Sequence, residues 1–392
     1  MPTVPYEREP VQAEVAVVGA GVVGSATALE LARRGTAVAL LEAQPEPGLA
    51  ASGTNSGILH TGFDSVPGEL ETELILRSAA LRDPVLEVLR VPVLRCGALM
   101  RPAEGPQREA VAGLAANAER NGVEVSLHDD GALEVPGESV TDPVAYTLAL
   151  AGAAQRHGAE LRTGFRVAGL QRNGGEFTVS EPGGESVTTR LVVNCAGLGA
   201  DQVARLAGDD SFEVYPRKGE FLVFDPPGGE GLERILLPVP TKRTKGVLVF
   251  PTTDGKVVAG PTAVDQEDKA DWSVRPEAWD EILPQATAMY PPLHDAEPLA
   301  AYAGLRPAGR GVNYAIGPSG ACPGLVNVAA IRSTGLTASL GIAERVCAIV
   351  AELGVALGPE RSLEPGPADG RPGPWWRRTA EYHTKPVQQG TG

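Results

Sequence analysis

Residues 14–42, EVAVVGAGVVGSATALELARRGTAVALLE, restrict the possible folds more than any other stretch of the chain. Val15 to Val18 form a short, continuously apolar run, as a strand buried on both faces requires. Gly19, Gly21 and Gly24 follow in G-x-G-x-x-G spacing. The first glycine permits a tight turn, the second lets the backbone approach a pyrophosphate, and the third allows close contact of helix and strand. A helix is predicted over Ala26 to Arg34, its N-terminus facing the phosphates, where free N–H groups and the helix dipole favour negative charge. Gly35 ends that helix, Val38 to Leu41 form a second strand, and Glu42 stands at its end, placed to bind ribose hydroxyls. Strand, glycines, helix, second strand and acid arrive in order. They point to a bound dinucleotide but do not separate FAD from NAD.

With 392 residues the chain is long enough for two domains. Its net charge of −15 argues against a nucleic-acid binder, though a small basic pocket for an anionic substrate remains compatible with it. The four cysteines (Cys96, Cys195, Cys322, Cys347) are scattered, which reads as reduced thiols of a cytoplasmic protein, with no metal site. Cys195 and Cys347 lie in apolar runs and read as core thiols. No apolar run approaches the roughly 18 residues of a transmembrane segment. Residues 1–11 read as a floppy arm, and 358–392, rich in Pro, Gly and charge, as a flexible or partly ordered tail. Within that tail the cluster Trp375-Trp376-Arg377-Arg378 is expected to dock on the body.

Beyond Glu42 the segment LAASGTNSGILHTGFDSVPGELETEL resembles the D-amino-acid-oxidase-type superfamily of flavoproteins. Within it the similarity is to the branch of L-2-hydroxyglutarate dehydrogenases and anaerobic-type glycerol-3-phosphate dehydrogenases. Asn55, Ser56, Gly57, His60, Gly62, Pro67 and Gly68 match that branch's pattern. VNCAGLGADQVA (193–204), YPRKGEFLVFD (215–225), KGVLVFPTTDGKVVAGPTAVDQEDKAD (245–271), AYAGLRPAG (301–309) and GLVNVAAIRSTGLTASLGIAERV (324–346) resemble further family segments, in order, over about residues 12–350. Two features depart from the branch pattern. The cysteine-bearing C-terminal domain of many glycerol-3-phosphate-type members is not matched here. The basic stretch TKRTKG (241–246) leans toward the glycerol-phosphate side.

The resemblance implies an α/β (α+β) fold: a Rossmann-like FAD-binding domain with an interleaved substrate domain on a mixed or antiparallel sheet. The flavin domain is assigned 12–90, 140–210 and 310–355, and the substrate domain 91–139 and 211–309. In the second flavin-domain block a helix is expected from Asp142 to Gly158, then a strand from Leu161 to Leu170. In the substrate domain EFLVFD, GVLVFPT and KVVAGPT read as strands, with a tight turn at Asp254-Gly255. The cofactor is expected to be FAD, held by Gly19, Gly21, Gly24, Glu42, Thr54, Asn55, Ser56, Gly57, Val167, Ala196, Gly197, Gly335, Leu336 and Thr337.

Oxidation of an alcohol or amine by flavin requires a base and a grip on the far end of the substrate. His60 is the candidate base or orienting group, since an imidazole of ordinary pKa, about 6.5, is free to accept a proton at pH 7. The alternative is a loop histidine that only hydrogen-bonds flavin or backbone. Arg306 and Arg332 are candidates for a catalytic anion clamp, with Lys218 a weaker one for the same pocket; the competing reading of each is a structural ion pair. Lys242, Arg243 and Lys245 read as a solvated basic turn. His128, His157, His294 and His383 are assigned no role. The expected activity is oxidation of a secondary alcohol on a small anionic substrate, a 2-hydroxy acid such as L-2-hydroxyglutarate or a glycerol-3-phosphate-like compound, by hydride transfer to flavin N5. Oxygen, a quinone or a carrier protein would take the electrons. An amine or amino-acid oxidase, a flavin-binding accessory subunit and a nicotinamide dehydrogenase are the alternatives.

Overall fold

A computed structural model describes residues 11–229, 231–240, 246–367 and 374–384. Residues 1–10, the basic residues Lys242, Arg243 and Lys245, and the tail segments 368–373 and 385–392 lie outside the described residues. The helices used below are α1 (Val22–Ala32), α2 (Leu70–Val88), α3 (Pro106–Arg120), α4 (Pro143–Arg156), α5 (Ala200–Leu206), α6 (Glu277–Met289), α7 (Gly335–Glu352) and α8 (Trp375–Thr384).

The first sheet has a parallel centre in the order Leu325–Ala329, Ser186–Asn194, Val11–Val18, Val38–Glu42 and Glu160–Thr163. Val17 pairs with Val193 on one side and with Leu40 on the other. Alternation along the strand sets the two cores. Val15 and Val17 pack among α1, α2, α4 and α7, whereas Ala16 and Val18 face Phe165, Phe177 and Val179. Antiparallel strands Gly169–Asn173 and Glu176–Ser180 extend the sheet beyond Ser186.

The expected single strand Leu161–Leu170 is instead two strands, Glu160–Thr163 and Gly169–Asn173, at opposite ends of the sheet order. Gly164 takes φ +74° and starts the break, a conformation open to glycine at little cost. The helix expected from Asp142 forms as α4, with the Asp142 carboxylate accepting the N–H groups of Val144 and Ala145 and Pro143 in the first turn. Such a cap contributes about 1 kcal/mol.

The second sheet is mixed and draws its strands from 98–135 and 214–309. Its spine is the antiparallel pair Val214–Phe224 and Ala300–Gly309, in which Arg217 lies opposite Arg306 and Lys218 opposite Leu305. Phe221 stacks on Tyr302 at 4.8 Å on one face; Leu222 and Phe224 pack with Ala278, Ile282 and Ala286 of α6 on the other. The Asp254-Gly255 turn joins Leu248–Pro251 to Val257–Gly260, with Gly255 at φ +78°. A small three-stranded sheet (Ile58–Leu59, Ser139–Thr141, Val93–Leu94) stands apart from both.

Helices α2 and α7 meet backbone to backbone: a Cβ on Gly341 would stand 2.4 Å from the Leu74 carbonyl oxygen. Gly341→Ala should therefore force the helices apart at an overpacking cost of about 1–3 kcal/mol, read as a lowered thermal midpoint. An unchanged midpoint would refute the tight crossing.

Candidate active site

The glycine-rich turn closes by contacts that exclude any side chain. A Cβ on Gly24 would lie 1.9 Å from the Gly19 carbonyl oxygen, and one on Gly19 would meet the Cys195 carbonyl oxygen at 2.4 Å. Gly21 is the N-cap of α1 and has no side chain to cap it; the Ser52 hydroxyl accepts the Val22 N–H from across the loop at 2.9 Å. The Glu42 carboxylate accepts the N–H groups of Ala20 (2.7 Å) and Gln44 (2.9 Å). Burial pushes its pKa up, and those donors pull the other way.

A cavity of about 1100 Å³ runs along this turn. Among the predicted cofactor residues, Gly19, Gly21, Gly24, Glu42, Asn55, Val167, Ala196, Gly197, Gly335 and Leu336 line it. The N-terminus of α1, the Glu42 carboxylate and a cavity of this volume fit a dinucleotide: α1 would hold its pyrophosphate and Glu42 its ribose. Thr54, Ser56, Gly57 and Thr337 do not line the cavity. The glycine at 57 is explained by protein packing rather than by cofactor approach, because its Cβ would meet the Thr141 carbonyl oxygen at 2.3 Å. Thr337 ties the neighbouring strand to α7: its hydroxyl accepts the His60 N–H at 3.1 Å and donates to the Ile58 carbonyl at 3.3 Å.

His60 carries a partner that the sequence did not disclose. Its Nδ1 lies 2.9 Å from Oε2 of Glu138, a carboxylate with no exposed surface, while the His60 side chain is 28% exposed. The other Glu138 oxygen accepts both the N–H and the hydroxyl of Thr61, at 2.7 and 2.9 Å. Arg82 donates to the His60 carbonyl at 2.8 Å, and burial lowers its pKa against the pull of Glu138. A carboxylate at Nδ1 makes that nitrogen the donor and leaves Nε2 as the ring's acceptor, the form a proton-accepting base needs.

The three predicted cations behave differently. Arg332 lines the cavity, donates its backbone N–H to the Pro307 carbonyl, and bonds Glu71 through Nη2 at 2.5 Å. Burial would raise the Glu71 carboxyl, but Asn313, Arg332 and Thr334 hold it below the usual range. Ala330 and Arg332 both take φ +57°, a strained setting for residues with a Cβ. Arg306 spends Nε on the Arg217 carbonyl and Nη2 on the carbonyls of Lys218 and Thr262, so its bidentate edge belongs to the backbone. Of its three guanidinium nitrogens, Nη1 alone makes no hydrogen bond to the described residues. Burial pushes its pKa down to about 10, still charged at pH 7. Lys218 is not in an anion pocket: with its side chain 1% exposed, it bonds Asp271 at 2.8 Å and the Ser273 carbonyl at 2.9 Å. A buried ammonium needs such partners, and Asp271 satisfies it at the expense of any ligand role.

The family described as FAD dependent oxidoreductase, DAO, matches residues 14–349. The chain belongs to this family. It is 27% identical to a glycerol 3-phosphate dehydrogenase of Caloramator mitchellensis over 90% of this chain and 76% of that one. It is 28% identical to an L-2-hydroxyglutarate dehydrogenase of Nematostella vectensis, over 64% of this chain and 62% of that protein's length. The structure of L-alpha-glycerophosphate oxidase from Mycoplasma pneumoniae with FAD bound superposes with a TM-score of 0.83 at 26% identity, covering 90% of this chain and 97% of that one. The protein is thus an FAD-dependent oxidoreductase. Among the described residues no His/Cys/Asp/Glu group is arranged for a metal, and no helix is long and apolar enough to cross a membrane.

Glu138→Gln tests the histidine's support. An amide nitrogen facing Nδ1 would turn that atom into the acceptor and put the proton on Nε2. The rate of anaerobic flavin reduction by substrate should fall about 10²–10⁴-fold with KM little changed; an unaltered rate removes Glu138 from the site.

Proposed function

We propose that the protein oxidises a secondary alcohol on a small anionic substrate, a glycerol-3-phosphate-like compound or a 2-hydroxy acid such as L-2-hydroxyglutarate. The observation that carries this reading is the His60–Glu138 pair beside the start of α7. Bound FAD supplies the hydride acceptor, flavin N5, for the carbon being oxidised. His60 takes the hydroxyl proton at Nε2, and Glu138 holds the opposite nitrogen protonated and stabilises the imidazolium as it forms. Arg332 and the unspent Nη1 of Arg306 supply positive charge for the substrate's carboxylate or phosphate. The start of α7, Gly335 and Leu336, offers its N-terminal N–H groups to negative charge. Oxygen, a quinone or a carrier protein receives the electrons.

The relatives' names support an anionic alcohol substrate, since glycerol 3-phosphate and L-2-hydroxyglutarate each join a secondary alcohol to a strong anion. Strain at Arg332 fits a residue fixed for a task rather than for stability.

An anaerobic screen of glycerol 3-phosphate, L-2-hydroxyglutarate and other hydroxy acids against amino acids, read by bleaching of the flavin band near 450 nm (roughly the usual oxidised maximum), tests the reading. One of the anionic alcohols should bleach the flavin and amino acids should not. His60→Ala should slow bleaching about 10²–10⁴-fold, and Arg332→Met should mainly raise the substrate concentration needed. Bleaching by an amino acid alone would establish the amine-oxidase alternative; no bleaching at all would favour an accessory subunit.

A further inference from the structure

The C-terminal helix α8 lies beyond the residues matched by the family, 14–349, yet it reaches the cofactor cavity. Tyr382 and His383, near its end, line the same cavity as Gly19, Glu42 and Arg166. Each is fixed by specific bonds. The Tyr382 hydroxyl donates to Oε1 of Gln44 at 2.5 Å, and Nε2 of His383 donates to the Leu49 carbonyl at 2.6 Å. The His383 ring also stacks on Trp272, with centroids 3.9 Å apart and planes 8° from parallel. Gln44 and Leu49 belong to the loop after Glu42, whereas Trp272 belongs to the loop that follows the second sheet's edge. One histidine therefore touches both rims of the cleft.

The base of the helix is anchored independently. Trp375 and Trp376 are each 2% exposed; Trp375 meets Tyr302 edge-on at 5.6 Å, and Trp376 Nε1 donates to Asp254 at 3.2 Å. Arg378 pairs with Glu46. On the opposite rim Lys218 pins Asp271 and Ser273, the two neighbours of Trp272 in sequence. The buried lysine that does not serve an anion pocket thus holds the ring on which His383 rests.

We propose that α8 is a built part of the cofactor site, with Tyr382 and His383 closing the cleft over the adenosine–pyrophosphate half of FAD. That half is assigned by chemistry: pyrophosphate belongs at the α1 N-terminus and ribose at Glu42, two residues before the Gln44 that Tyr382 grips. Burial lowers the pKa of His383, so a neutral ring forms the stack near pH 7. The function of this closure is cofactor retention: FAD leaves only after the His383 stack and the Tyr382 bond have opened. The inference rests on FAD binding and not on the choice of substrate, so a failed substrate screen leaves it standing.

Removing the helix would take its two buried tryptophans with it and uncover Tyr302, so the test uses point variants of the full chain. Tyr382→Ala/His383→Ala keeps Trp375 and Trp376 in place, and Trp272→Leu removes the stack from the other rim. FAD release from each holoprotein is followed by the rise in free-flavin fluorescence, and each apoprotein is melted as a control for folding. Release should accelerate about tenfold or more in both variants, with each apoprotein still melting in a single cooperative transition. Titration of the apoproteins with ADP and with riboflavin locates the effect: the double variant should weaken ADP binding and leave riboflavin binding as it was. Release at the wild-type rate, or a loss confined to riboflavin, overturns the proposal.

Discussion

The rest of the molecule depends on a backbone contact that tolerates no side chain. At Gly24 the first turn of α1 presses on the carbonyl of Gly19, and Gly19 in turn presses on the carbonyl of Cys195. These approaches fix α1 at the end of the central strand and bring in the strand Ser186–Asn194, whose residues pair with partners 176 positions earlier. The head of α1, the carboxylate of Glu42 and the backbone of Ala196 and Gly197 are thereby placed along one cavity. Position here is set by excluded volume, which a hydrogen bond alone could not enforce so rigidly.

Charge is organised on a second principle: each buried ion is given partners, and only the remaining donors are available for chemistry. Glu138 is saturated by Thr61 and His60, Glu71 by Asn313, Thr334 and Arg332, and Lys218 by Asp271 and Ser273. Removing one partner of such a set leaves an uncompensated charge and costs several kcal/mol, roughly 3–5. Among the described residues, Nε2 of His60 and Nη1 of Arg306 are left without a protein hydrogen bond.

What the sequence disclosed follows from locality. The nucleotide turn was legible because strand, glycines, helix and acid lie within one short run, so spacing alone encodes geometry. The loop Asn55–Gly62 and the start of α7 were legible through several ordered segments that resemble one family. Glu138 was not, because its bond to His60 spans 78 positions and no periodicity links VPGES to TNSGILHTG. Nor could sequence show that Lys218 faces Asp271, since the face a strand residue presents does not name its partner. The break in the strand expected at Leu161–Leu170 was marked only by Gly164, a weak signal on its own. His383, passed over as a tail histidine, gains its surroundings only when α8 folds back across the chain.

The order of strands in the first sheet also bears on how the polypeptide emerges. Ser186–Asn194 sits between Val11–Val18 and Leu325–Ala329, so the parallel centre cannot be completed until its last strand has been made. Through most of synthesis the opening strand and the strand at 186–194 expose an apolar edge that only distant chain can cover. Such a topology folds slowly, because the entropy of closing long loops is spent before the pairing is gained. During that interval the uncovered apolar edge leaves a nascent chain of this kind open to aggregation, a hazard that the stability of the finished fold does nothing to remove.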